Sequence, residues 1–223
     1  GQYVDIEGAY RSEHELIKRY REMALHPEAD GAIEDVVNEA IVSDLYDSPV
    51  EVELSNLNAS ETIKKKIREE FRYIKEIMDF DKKSHEIFRN WYVDGRLFYL
   101  KVIDQKRPED GIQDLRYIDP LKIRHIRQEK KKNKAKLGPD LAPKDKDKFQ
   151  TPEIEEYFVY TPKPSYPTGT MVGGGGVKGI KIAKDSITYC TSGLVDRNKG
   201  NVLSYLHKAI KSLNQLRMIE DSL

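Results

Sequence analysis

Residues Tyr10 to Asp44 read YRSEHELIKRYREMALHPEADGAIEDVVNEAIVSD, and their periodicity decides how the first half of the chain folds. Leu16, Ile17, Tyr20, Met23 and Ala24 recur at helical spacing, and Ser12 followed by Glu15 forms a capping box for the free amides of the first turn. Pro27 cannot continue a helix and disfavours helical geometry at His26, so the first helix should stop near Leu25. Asp30 is expected to cap a second helix. Its Ile33, Val36, Val37, Ala40 and Ile41 form an apolar stripe opposite Glu34, Asp35, Asn38 and Glu39.

Outward from this elbow the pattern continues to change. Val50, Val52 and Leu54 alternate with Glu51 and Glu53, which predicts a short strand from Ser48 to Leu54. Ser60 caps a long amphipathic helix whose apolar face holds Ile63, Ile67, Phe71, Ile74 and Met78. Asp81 opens another, with Phe88, Trp91 and Tyr92 on its packed face, and Gly95 ends it.

From Arg96 the period shortens to two. RLFYLKVI and IQDLRYI are strands joined by the breaker-rich DQKRPEDG, LKIRHIRQE is a third with Ile123 and Ile126 apolar, and Asp119-Pro120 forms a corner before it. EIEEYFVYTP and GIKIAKDSITYCTSG return to strand propensity. Asn201 is expected to cap a final helix carrying Leu203, Leu206, Ile210, Leu213, Leu216, Met218 and Ile219.

The fold class is therefore α+β: amphipathic N-terminal helices, an antiparallel sheet and a long C-terminal helix. The expected organisation is a helical part over 1–95, a β part over 96–200 with flexible loops at 130–150 and 162–178, and the start of a long helix over 201–223. All three belong to one structural domain. A chain that starts without Met and stops inside a helical pattern is expected to be a fragment of a longer polypeptide.

Composition narrows the function classes. Of 223 residues, 34% are charged, above the roughly 25% of ordinary globular chains, so much surface must stay wet. Lys plus Arg and Asp plus Glu balance at 38 each, so net charge points to neither nucleic acid nor an acidic role. The single cysteine, Cys190, excludes an internal disulfide and a cysteine-based zinc site. It is expected to be buried and inert. No apolar run approaches the roughly 18 residues of a membrane span.

Candidate chemistry is sparse. In GGGGVKGI, Gly174 and Gly179 have the first spacing of a phosphate-binding loop, but Ile180 stands where that loop needs lysine. Histidines 14, 26, 85, 125 and 207 show no metal-ligand spacing, and His26 simply precedes the turn proline. Glu28, Asp30, Glu34, Asp35 and Glu39 crowd the front of one helix, where acids favour the dipole and read as a solvated face rather than a magnesium site for nuclease chemistry. Lys130, Lys131, Lys132, Lys134 and Lys136 form the one basic stretch able to neutralise phosphates or an acidic partner, without the aromatics that stack on bases. No catalytic residue, cofactor or metal ligand is assigned.

Residues LIKRYREMALHPEADGAIEDVVNEAIV, Leu16 to Val42, resemble the string RYR-MA-HPE-D-AIEDIVNEAIV of the portal proteins of T-even-type tailed bacteriophages. The resemblance returns at Tyr117, Ile118, Asp119, Pro120 and KIRHIR, at Ile182 to Asp196, and in VLSYLHKAIKSLNQLRMIED. One departure is Lys211-Ser212-Leu213, where the family often has a proline after the lysine, so a straighter last helix is expected.

What the resemblance implies is a structural, non-enzymatic subunit of the dodecameric ring at the unique capsid vertex. That ring passes double-stranded DNA during packaging and ejection, nucleates capsid assembly with the major capsid protein, and docks the terminase motor and then the neck and tail connector proteins. The chain would correspond to the wing, with its last helix leading toward the stem. Its place would be the virion portal vertex after assembly in the host cytoplasm, the inner membrane face being one site for that assembly. Candidate contacts with other subunits or with capsid are Tyr3, Val4 and Ile6 in the N-terminal arm and Tyr20, Ile33 and Val37 on the helix faces. The competing assignment places those helix faces in the chain's own core. A second function, a stand-alone nucleic-acid-binding adaptor, rests on the lysines at 130–136.

Overall fold

Pro27 sets the first joint. In the computed structural model, which describes residues 13–42, 48–129, 154–162, 179–196 and 201–222, α1 runs Glu13–Met23 and α2 runs Pro27–Ala40. Pro27 is the first helical residue of α2, and His26 is its N-cap with extended backbone (φ −71°, ψ 131°). The expected start at Asp30 is corrected. Proline lacks only an amide that would be unpaired in the first turn anyway, so α2 begins earlier and Asp30 falls inside that turn. The Ser12 cap and the arm residues Tyr3, Val4 and Ile6 lie outside the described residues.

The chain divides into two compact units, Gly1–Leu121 with Thr188–Leu223, and Lys122–Ile187. In the first, α3 (Glu61–Met78) and α4 (Phe80–Asp94) follow the elbow. The Ser60 hydroxyl accepts from the Ile63 amide, as the capping pattern predicts. Asp79 then ends α3 and starts α4 in left-handed geometry (φ 50°), so α4 begins at Phe80 rather than Asp81. Ser48 to Leu54 is not a strand. The Glu53 carboxylate accepts from the Ser55 amide at 2.7 Å, and this local bond competes with ladder pairing and turns the chain.

Strand β1 (Arg96–Ile103) pairs antiparallel with β2 (Ile112–Ile118), Phe98 opposite Ile118 and Ile103 opposite Ile112. The second unit contains β3 (Ile123–Glu129), β4 (Ile154–Tyr160) and β5 (Ile180–Ala183). Strand β6 (Ile187–Thr191) returns to β1. The single expected sheet is thus two three-stranded sheets, β2-β1-β6 and β3-β4-β5, and the Asp119-Pro120 corner stands between the first and the start of the second. In the second unit Phe158 is fully buried and faces His125 and Ile182 across the ladders. Gly179 enters β5 so tightly that an added Cβ would sit 2.9 Å from the Tyr160 carbonyl oxygen. The expected loops at 130–150 and 162–178 fall on undescribed residues but for Pro162 at the edge of the second.

The first unit's core is the elbow itself. Leu16, Tyr20, Met23 and Ala24 of α1 and its end, Ile33 and Val37 of α2 and Val93 of α4 close on Leu206 and Ile210. Leu206 lies in a 3-10 turn (Tyr205–Ala209) that runs into α5 (Ile210–Glu220), of which Ile210 is the first residue. Its cap is not Asn201. Ser204, fully buried, accepts from the Leu206 amide at 3.0 Å and donates to the Tyr92 carbonyl at 3.0 Å. Nearby, Tyr92 stacks on Tyr205 with centroids 5.2 Å apart, and Ser192 donates its hydroxyl to the Leu203 carbonyl.

Candidate functional site

Among the described residues of the first unit, one polar construction joins three parts of the chain. Arg21, in the last turn of α1, donates from Nε and Nη2 to the two oxygens of Asp94 at 2.9 and 2.7 Å, and from Nη2 to Asp119 Oδ1 at 2.8 Å. Asp94 ends α4 with a side chain only 3% exposed. Burial pushes its carboxyl above the usual range, and Arg21 pulls it back. The same hydrogen bonds to Asp94 hold the Arg21 guanidinium above its own ordinary value. Asp119 Oδ1 also accepts from the Leu121 amide at 3.0 Å, closing the predicted corner. A cavity of about 370 Å³ opens beside this clamp, lined by Leu25, Asn90 and Tyr117.

A second bridge runs from Arg89 of α4 to Asp30 at 2.5 Å and Glu34 at 2.8 Å. It accounts for part of the acidic cluster at the front of α2: two of those carboxylates face an arginine of the same chain.

The sequence-predicted contact residues distribute unevenly. Tyr20, Ile33 and Val37 are 0, 1 and 2% exposed, so they are not free to meet another copy; the competing assignment to the intrachain core holds. Lys130, Lys131, Lys132, Lys134 and Lys136 lie outside the described residues. Cys190 is exposed rather than buried, because β6 turns it toward an apolar cleft of about 290 Å³ between α3 and the sheet, walled by Ile74, Met78, Leu97 and Leu115.

Apolar side chains that the chain leaves to solvent lie elsewhere: Leu25 is 82% exposed at the elbow and Met218 72% exposed on α5, with Val42 and Ile219 also exposed. Among the described residues, the ligand atoms of His26, Glu28 and Glu220 also converge within 4.8 Å of one another.

A family model described as Bacteriophage T4-like portal protein (Gp20) matches residues 13–223. The chain belongs to the T4-like portal protein family. It is 34% identical over 215 residues to the portal protein of Vibrio phage KVP40, covering 94% of this chain and 39% of that one. It is 27% identical over 230 residues to the portal protein of Salmonella phage ViI, covering 99% and 39%. The chain therefore spans about two fifths of the length of these curated portal relatives. The family is structural, and what the chain offers is accordingly geometry: a locked elbow, an ion-pair clamp on the buried Asp94 and exposed apolar side chains. The Arg21–Asp94–Asp119 clamp and the approach of Glu220 to His26 escaped sequence reasoning. The one trace was the Asp119-Pro120 corner, whose aspartate does more than turn the chain.

Proposed function

We propose that this chain is the wing portion of a portal ring at the unique capsid vertex, with α5 leading toward the channel-facing stem. The ring, twelve copies in this proposal, conducts double-stranded DNA inward during packaging and outward on ejection. It also nucleates capsid assembly with the major capsid protein and docks the terminase motor and later the neck and tail connectors. The observation that carries the proposal is the portal-family match along residues 13–223.

The physical character of the chain supports it. A heterologous ring contact needs a rigid subunit that presents one apolar surface to a different surface of the next copy, and ring closure leaves no open end. The elbow core supplies the rigidity. Leu25, Val42, Met218 and Ile219 are exposed apolar groups among the described residues.

The test is electron-microscopic imaging of the protein expressed from its complete gene at near-physiological salt. Closed rings of one symmetry, with this α+β region projecting outward from a central channel, are expected. A uniformly monomeric, folded population would overturn the proposal.

A further inference from the structure

We propose that residues 3–7 of the N-terminal arm add to the free edge of β6 in the same chain, as a fourth strand of the sheet β2-β1-β6, with Val4 and Ile6 seated in the apolar cleft beside Cys190. Strand β6 ends that sheet, and among the described residues no strand pairs with its outer side. Such an edge leaves a row of backbone N–H and C=O groups open to a further strand.

Both faces beside the edge are unfinished. On one face the cleft of about 290 Å³ is walled by Ile74 and Met78 of α3, Leu97 of β1 and Leu115 of β2, and it reaches β6 at Thr188 and Cys190, both exposed. Helix α3 shows the same deficit: it carries the amphipathic stripe its sequence predicts, yet none of its residues is buried. On the other face the Tyr189 ring stacks on Phe98 with centroids 5.8 Å apart while 42% of the residue stays exposed. One strand laid along β6 would continue both surfaces.

The arm has the pattern for this place. In Tyr3-Val4-Asp5-Ile6 the period of two puts Val4 and Ile6 on one face and Tyr3 and Asp5 on the other. With Val4 and Ile6 toward the cleft, Tyr3 is on the side of Tyr189. A slip of one residue would turn Asp5 into the cleft, so apolar burial selects the register.

The chain also leads there. Helix α1 begins at Glu13, whose carboxylate meets Nη1 of Arg96 at 3.2 Å, and Arg96 opens β1 next to Leu97 of the cleft. The Ser192 amide donates to the Gly95 carbonyl at 2.8 Å, so the C-terminal end of β6 lies at this same end of the sheet. Extended chain from Val4 to Glu13 covers up to about 30 Å, against about 17 Å for the whole of β6. An arm approaching Glu13 along β6 therefore runs parallel to it. The short tether gives this arm a local concentration that the arm of another copy must exceed. The contact forms within one chain, so it stands independently of the portal proposal.

Cys190 is the chain's one cysteine, which makes the test direct. Val4→Cys, Ile6→Cys and Asp5→Cys are prepared singly, treated with a mild oxidant and resolved by non-reducing electrophoresis and peptide mapping. At least one of Val4→Cys and Ile6→Cys should form a disulfide with Cys190 inside a single chain, about tenfold or more faster than Asp5→Cys, whose side chain faces away from the cleft. Val4→Asp combined with Ile6→Asp should also speed maleimide labelling of Cys190 about threefold or more by uncovering the thiol. Disulfides formed only between chains would overturn the proposal and give the cleft to the arm of another copy. Equal rates at the three positions, absence of any disulfide, or unchanged labelling would overturn it too.

Discussion

The Tyr20 hydroxyl lies 2.8 Å from Nδ1 of His207, tying α1 to the turn that begins the last helix. Their rings also meet edge to face, with centroids 6.0 Å apart. Removing the hydroxyl in Tyr20→Phe keeps the ring packed but leaves the imidazole without this partner, at a cost of about 1 kcal/mol. Urea denaturation should show a lower midpoint with an unchanged slope.

The same hydroxyl makes stability fall at alkaline pH. Burial pushes Tyr20 up from its ordinary value, while the Ser204 backbone and Arg96 pull it back. Because the folded value is the higher one, the contribution is fully present below the unfolded value of about 10 and is lost as pH rises from there through the folded value. Denaturation midpoints measured at intervals above pH 9 should decline, and less steeply in Tyr20→Phe.

Two arginines with similar partners should behave differently. Arg21→Ala strands the buried Asp94 carboxylate and should destabilise by about 3–5 kcal/mol, toward the lower end because Arg21 itself is partly exposed. Arg21→Lys will not restore the two-pronged contact. Arg89→Ala breaks pairs with the exposed Asp30 and Glu34 and should cost under about 1 kcal/mol. Comparing the two variants by thermal melting checks the ranking; equal effects would contradict it.

Gly95 ends α4 at φ +73°, and an added Cβ would stand 2.7 Å from the Leu203 carbonyl oxygen. Gly95→Ala therefore meets both a disfavoured backbone conformation and a backbone clash, and should cost more than about 1 kcal/mol. Calorimetry of the variant provides the check, with loss of the folded state as the extreme outcome.

Leu25 supplies a test at the assembly level. Its side chain is exposed at the elbow, so Leu25→Asp should change chain stability by no more than about 0.5 kcal/mol while reducing ring formation in the imaging assay. Rings at wild-type abundance would remove Leu25 from the contact surface.

The elements with long periodic patterns were legible in the sequence. The apolar steps of α1 and α2, the Ser60 cap and the change of period at Arg96 each act through neighbouring residues, and the structure follows them. Ser48 to Leu54 misled because alternation is also compatible with a turn held by Glu53 and Ser55. The last helix is legible, yet its cap is Ser204 and not the expected Asn201, since Ser204 is selected by Tyr92, a partner far away in sequence. Tyr20, Ile33 and Val37 show the same limit: an apolar stripe reveals that a face is covered, but not whether the cover comes from the same chain. The clamp of Arg21 on Asp94 depends on burial and distance, neither of which spacing conveys.

Closure of the elbow core by Leu206 and Ile210 also has a consequence for synthesis. At ribosomal rates of roughly 5–20 residues per second, the 187 positions between Tyr20 and His207 take on the order of ten seconds or more to appear. For that interval α1 and α2 are made but Leu206 and Ile210 are not there to close on their apolar stripes, so the newborn chain is a natural client for cellular factors that shield such surfaces until the Tyr205–Ala209 turn emerges.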